Sequence, residues 1–350
     1  MTDPGARHTG LVIPTTVLSD DLTVSALGLG GMGLTAAYGG TTPREAVATV
    51  HAAIDLGVTF LDTADVYGEP RPGTEGPPGT NEEMFGQVLA TRRDEVQIAT
   101  KFGITGAVGN GIPTRGDAAY VQAACEASLR RLGVETIDLY YMHRRELDRP
   151  IEETVGAMAE LVQQGKVRHL GLSEVTGPEL RAAAAVHPIA AVQSEWSLWS
   201  RDVERHVVPA AIDVGAGFVP YSPLGRGFLT GTLTRESLAG TLRAGQARFE
   251  EHFEANQQVV EVVKSVAADV GATPAQIALA WLYAQGRRLG IPVVPIPGTR
   301  RAERVAENAG ALTVTLTEDQ LTRLDAVADR VQGGRNLGFA GPTWISAGRE

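Results

Sequence analysis

The chain has 350 residues, of which 43% are hydrophobic and 21% charged, ordinary proportions for a globular protein with a sizeable core. The formal net charge is -10 and no dense basic run interrupts the acidity, which argues against a nucleic-acid partner. No apolar stretch approaches the roughly 20 residues needed to span a bilayer, residues 1–10 lack a hydrophobic leader, and the single cysteine, Cys125, has no partner for an internal disulfide. A cytoplasmic protein without a membrane partner, either a monomer or a small homo-oligomer, is the expectation.

Residues 1–10 read as a flexible N-terminus, 11–330 as one domain and 331–350 as a tail with little periodicity, for which draping over the active face and disorder are both open. At the start, residues 11–18 and 22–26 are strand-like and joined by Ser19-Asp20-Asp21, a hairpin signal. The chain then alternates strand and helix. Residues 27–30 form a weak strand, and Pro43 opens a helix to residue 56 with Thr42 as its N-cap. Strands at 58–62, 96–101 and 137–143 follow, separated by helices at 81–90 and 117–132. Later strands are predicted at 167–172, 189–193, 218–221 and 293–296. Helices at 151–164, 178–186, 202–214, 256–270, 274–285, 299–309 and 317–330 complete the series. Eight strands in alternation with helices predict an α/β fold, a (β/α)₈ TIM barrel with an N-terminal β-hairpin outside it. An open doubly wound sheet is the structural alternative. Two segments break the rhythm: 69–80 is rich in Pro and Gly, and 225–251 is long for a strand-to-helix loop. Both are expected on the face that carries the C-terminal strand ends.

Three consecutive apolar runs end on or just before a titratable side chain: Val58-Thr59-Phe60-Leu61-Asp62, Val96-Gln97-Ile98-Ala99-Thr100-Lys101 and Ile137-Asp138-Leu139-Tyr140-Tyr141-Met142-His143. A buried parallel strand is apolar almost throughout, and the C-terminal strand ends of a βα barrel form its catalytic face. Asp62, Lys101 and His143, with Tyr67 shortly after Asp62, are therefore expected at one rim. Each also has a bland reading, as a turn residue, a solvated strand end, a rim histidine or a loop aromatic.

Gly28-Leu29-Gly30-Gly31-Met32-Gly33 matches the dinucleotide fingerprint G-x-G-x-x-G in letters only. The next helix begins at Pro43, so no helix N-terminus opens directly from these glycines, as pyrophosphate binding in a Rossmann unit requires. A tight turn that lets backbone approach a ligand is the preferred reading, with Gly31 and Met32 at the cofactor.

Asp62-Thr63-Ala64-Asp65-Val66-Tyr67-Gly68, Asn81-Glu82-Glu83, Ile98-Ala99-Thr100-Lys101, Asp138-Leu139-Tyr140-Tyr141-Met142-His143, Gly171-Leu172-Ser173 and Pro295-Ile296-Pro297-Gly298-Thr299-Arg300 occur in the order seen in the aldo-keto reductases. The resemblance spans roughly residues 11 to 330. It implies reduction of an aldehyde or ketone carbonyl with hydride from NADPH. Tyr67 would be the general acid, its pKa lowered by Lys101; Asp62 would pair with Lys101, and His143 would orient the carbonyl. Ser173, Glu174 (where relatives carry Asn) and Gln193 would face the carboxamide, and Tyr221 would stack on the nicotinamide. Ser222, Pro223, Leu224, Arg226 and Gly227 would hold the pyrophosphate. Gly298, Thr299, Arg300, Arg304, Glu307 and Asn308 would hold the adenosine end. Tyr38, Arg144 and Trp196, with Trp199 nearby, are candidate walls for the substrate; the two tryptophans, three apart, fit helix packing equally, and Arg144 fits either an anionic substrate or a surface ion pair. Two other functions fit parts of the pattern: a cofactor-sensing subunit with little turnover, and an aldolase using Lys101 as a Schiff-base nucleophile.

Overall fold

A computed structural model describes residues 12–19, 21–35, 37–39, 41–106, 113–335 and 341–350. Two strands, β1 (Thr15–Ser19) and β2 (Leu22–Ser25), form the expected antiparallel hairpin; Leu11, the predicted start of the first, lies outside the described residues. Seven parallel strands follow in sequential order: β3 (Gly28–Gly30), β4 (Phe60–Asp62), β5 (Gln97–Phe102), β6 (Ile137–Met142), β7 (Val167–Ser173), β8 (Ala191–Glu195) and β9 (Gly217–Tyr221). Helices α1 (Pro43–Asp55), α2 (Thr80–Arg92), α3 (Ala118–Leu132), α4 (Ile151–Gln163), α5 (Gly177–Ala184) and α6 (Val203–Asp213) alternate with them. After β9 come α7 (Phe253–Val270), α8 (Pro274–Leu289), α9 (Ala302–Ala309) and α10 (Glu318–Asp325).

The predicted eighth strand is an extended segment that closes the ring with few ladder bonds. Its N–H groups at Val294 and Ile296 donate to the carbonyls of Phe218 and Pro220, while Gly28 and Gly30 donate to Pro295 and Pro297. Three prolines, at 292, 295 and 297, remove every second or third donor, so the pairing is real on both sides but too sparse for a regular ladder.

The elements form where the sequence supplies their signals. Thr42, Thr176, Thr273 and Thr317 each accept from a backbone N–H at the third helical position, and a Glu or Gln there reaches back. These capping boxes start α1, α5, α8 and α10.

Inside the barrel, Phe60, Ala99, Leu139, Tyr141, Ala191, Val219, Val294 and Ile296 share one core with Leu18, Leu22 and Val24 of the hairpin. Ser25 Oγ accepts from the Thr59 and Phe60 amides at the start of β4, which seats the hairpin as a plug over the N-terminal strand ends. Gly217, the first residue of β9, is required there, because a Cβ would lie 2.7 Å from the Leu18 carbonyl oxygen. With that end stoppered, the C-terminal ends are left as the open face.

Candidate active site

Polar side chains finish almost every strand at this face. Asp62, Ser173, Glu195 and Tyr221 are the last residues of β4, β7, β8 and β9; Lys101 is the penultimate residue of β5, and His143 follows β6. Lys101 is wholly buried, and its Nζ donates to Asp62 Oδ1 at 2.5 Å and to the Thr63 carbonyl at 2.8 Å. The other Asp62 oxygen accepts from Gln193 Nε2 at 2.8 Å. Lys101 Nζ lies 5.0 Å from the centroid of the Tyr67 ring, which meets His143 edge-on at 5.6 Å. The four residues expected at one rim are therefore linked in one chain of contacts, and Asp62, Tyr67 and His143 line the floor of a cavity of about 1150 Å³.

Burial dominates their ionisation. It pushes the Asp62 carboxyl up and the Lys101 ammonium down, each offset in part by the other's charge. The His143 imidazole is held well below its ordinary value by burial, then by the charges of Arg144 and Lys101. Tyr67 is raised by burial and by the Asp62 carboxylate, with Arg144 acting in the opposite sense. The expected lowering of this phenol by Lys101 does not appear in this geometry, where burial and the Asp62 carboxylate both raise it.

From this floor the cavity runs past Met32, Ser173, Gln193 and Tyr221 to Ser222, Pro223, Leu224, Arg226 and Gly227. It ends among Gly298, Thr299, Arg300, Arg304, Glu307 and Asn308. The lining suits a dinucleotide on two counts. Ser222, Gly225, Arg226 and Gly227 all have left-handed φ, between 49° and 92°, giving a tight turn against the cavity wall. Arg301, the N-cap of α9, makes no side-chain cap, and Ala302 and Glu303 of the first turn line the cavity, so the positive end of the helix faces it.

The sequence profile of the aldo/keto reductase family matches residues 26–329. The chain belongs to the aldo/keto reductase family. It is 28% identical to a glycerol dehydrogenase from Gluconobacter oxydans, with a TM-score of 0.78 over 91% of this chain and 95% of that one. A thermostable aldo-keto reductase solved with the inhibitor epalrestat is also 28% identical, with a TM-score of 0.70 over 90% of this chain and 99% of the other. The protein is thus a barrel oxidoreductase acting on carbonyl groups, of a family that uses nicotinamide cofactors.

This aldo/keto reductase departs from expectation at several positions. Glu174 does not face the cavity. Its carboxylate accepts from Tyr221 Oη at 2.7 Å, from both terminal nitrogens of Arg335 and from the Ser346 amide, so no oxygen is left for a carboxamide. Trp196 is fully buried, packs on Phe218 and donates to Glu204; it is no wall of the cavity. Trp199 stacks on Phe228 in the 225–251 loop and on no helix of its own. Gly31 is a packing position, where a Cβ would meet Phe85, Asn81 and the Asp62 carbonyl; Met32 and its neighbours Gly30 and Gly33 line the cavity instead. The 69–79 insertion contributes no lining residue among those described. Tyr38 and Arg144 are at the cavity as expected.

Sequence reasoning left the tail open between draping over the active face and disorder, and named none of its contacts. Arg335, Trp344 and Ile345 line the cavity, and Arg349 pairs with Glu179 and donates to the Glu174 carbonyl. It also missed Glu195, which is buried between Arg226 and Arg248 and ties the 225–251 loop to the end of β8. A charged residue at a strand end was a usable signal for Glu195. Nothing in the sequence marked its partners.

Proposed function

We propose that this protein reduces the carbonyl of a small aldehyde or ketone with NADPH, and that Tyr67 delivers the proton. The supporting observation is the buried Lys101–Asp62 pair beneath the Tyr67 ring, with His143 at the ring's edge on the floor of the cavity. When bound, the nicotinamide supplies a hydride to the carbonyl carbon. A phenol with a raised pKa keeps its proton at neutral pH and releases it to the alkoxide that forms, which is the stronger base. The Lys101 ammonium then lies close enough to stabilise the phenolate, and Asp62 keeps Lys101 in place. His143, neutral at physiological pH, offers one N–H to the carbonyl oxygen as negative charge develops there.

Arg304 at the α9 end of the cavity, next to the open first turn of that helix, supports a 2′-phosphate and hence NADPH over NADH. Because Lys101 donates to Asp62 and Thr63 and does not line the cavity, it is poorly placed as a Schiff-base nucleophile. The single cysteine is buried, in keeping with a reducing cytoplasm.

The decisive experiment is Tyr67→Phe, read by NADPH oxidation against a panel of aldehydes and ketones and by NADPH binding. We expect kcat to fall by about 10²–10⁴-fold, the range for loss of a general acid, while NADPH still binds. A variant that keeps wild-type turnover would overturn the mechanism.

A further inference from the structure

We propose that Arg144 is a carboxylate-binding residue of the substrate pocket, so that the preferred carbonyl substrates carry a carboxylate; this rests on reading the site as a carbonyl reductase. The argument is one of charge balance. The other buried cations around the cavity floor each have an acid: Lys101 has Asp62, Arg335 has Glu174, and Arg226 and Arg248 share Glu195. Arg144 forms no ion pair among the described residues, and the Glu174 carboxylate that feels its charge is already paired with Arg335; yet Arg144 is only 9% exposed and lines the same cavity as Tyr67 and His143.

Its neighbours position the guanidinium without neutralising it. Nη1 donates to the His143 carbonyl at 2.7 Å and to Ser173 Oγ at 3.1 Å, and the Trp344 ring lies 5.0 Å from its central carbon. Nε has no hydrogen-bond partner, and none is made by Nη2 among the described residues. A buried charge held by neutral acceptors alone is costly, and a ring face recovers only a small part of that cost. With both Nη1 hydrogens used and Nε enclosed by its surroundings, Nη2 is the nitrogen left to meet a carboxylate oxygen, through one charge-assisted hydrogen bond.

The cofactor does not supply this anion. In the reading above its phosphates lie toward residues 222–227 and 298–308, whereas Arg144 follows His143 directly in the chain. An anionic group on the substrate itself is the occupant that completes the balance. The nearby Trp344 comes from the tail, so the tail helps to fix where that anion sits.

The test compares 4-formylbenzoate with its neutral methyl ester. We expect the wild-type enzyme to favour the carboxylate in kcat/KM. The ratio of the two should fall by about 10- to 100-fold in Arg144→Met, as for loss of a charge-assisted hydrogen bond, and recover in part in Arg144→Lys. A wild-type preference for the ester, or a fall in both substrates that leaves the ratio unchanged, would refute the subsite. A second arm needs no turnover: calorimetric binding of benzoate and benzamide to the NADP⁺-loaded protein. Benzoate should bind more tightly than benzamide, and Arg144→Met should abolish the difference. If neither aldehyde is reduced, the carbonyl-reductase reading fails, and the benzoate arm alone decides the subsite. Benzoate binding that is absent or indifferent to Arg144 refutes it.

Discussion

At the scale of single residues, the site is built from groups kept away from their charged forms by burial. His143 shows the consequence for stability. Its folded-state pKa lies well below the ordinary 6.5, so on acidification the unfolded chain takes up a proton that the folded chain refuses. Stability is therefore lost as pH falls below 6.5, at up to about 1.4 kcal/mol per pH unit, until the folded value is reached. His143→Asn removes this proton linkage. The difference in unfolding free energy between about pH 7 and pH 5 should be smaller in the variant than in the wild type, as read in denaturant titrations. If the pH dependence is unchanged, the imidazole titrates alike in the folded and unfolded protein, and burial does not hold it neutral in mild acid.

At the scale of elements, the tail and the ends of β7 and β8 depend on each other. Glu174 is buried in a position where its charge is tolerated because Arg335, 161 residues later, reaches both of its oxygens. Removing one partner of such a pair leaves an uncompensated buried charge and typically costs about 3–5 kcal/mol. Arg335→Met should destabilise the protein by roughly that amount, and adding Glu174→Gln should recover part of it, as measured by chemical unfolding. Because Arg335 depresses the Glu174 pKa, the stabilisation is present above the ordinary carboxylate range and fades as pH falls through the folded value. The Arg335→Met cost should accordingly shrink in strong acid. If the double variant is no more stable than the single one, the pair is not the tie that holds the tail.

The same pair marks the limit of what the sequence discloses. Asp62, Lys101 and His143 were legible as a set: each alone has a bland reading, but three successive apolar runs that end on or beside a titratable residue, in one motif order, point to a single rim. The helix starts were legible from Thr and Pro. Arg335 was not, since a residue in an aperiodic tail has no local pattern that names a partner so far away. Trp196 was misplaced because the chain reverses directly after β8, where Ser197 and Ser200 exchange backbone hydrogen bonds and the indole packs on Phe218 instead of the cavity. The eighth strand was found by its apolar run, but its three prolines hid how sparsely it pairs.

At the scale of the whole molecule, the cavity is walled by segments from Gly30 near the start of the barrel to Ile345 near the end of the chain. A ligand that fills it touches elements far apart in the chain, so binding should stabilise the fold as one unit. Ligand at a hundredfold excess over its Kd adds about 2.7 kcal/mol; for a domain of this size that corresponds to a rise in Tm of a few degrees. We expect NADPH to raise Tm more than NADH at equal concentration, because only NADPH carries the phosphate that the open end of α9 and Arg304 would bind. Arg304→Ala should bring the two shifts together by weakening NADPH, since that side chain is half-exposed and paired with Glu307 and carries little else of the fold. Equal shifts in the wild-type protein would show that the adenosine end of the cavity does not read the 2′-phosphate, and would remove the preference for NADPH over NADH while leaving the catalytic floor unaltered.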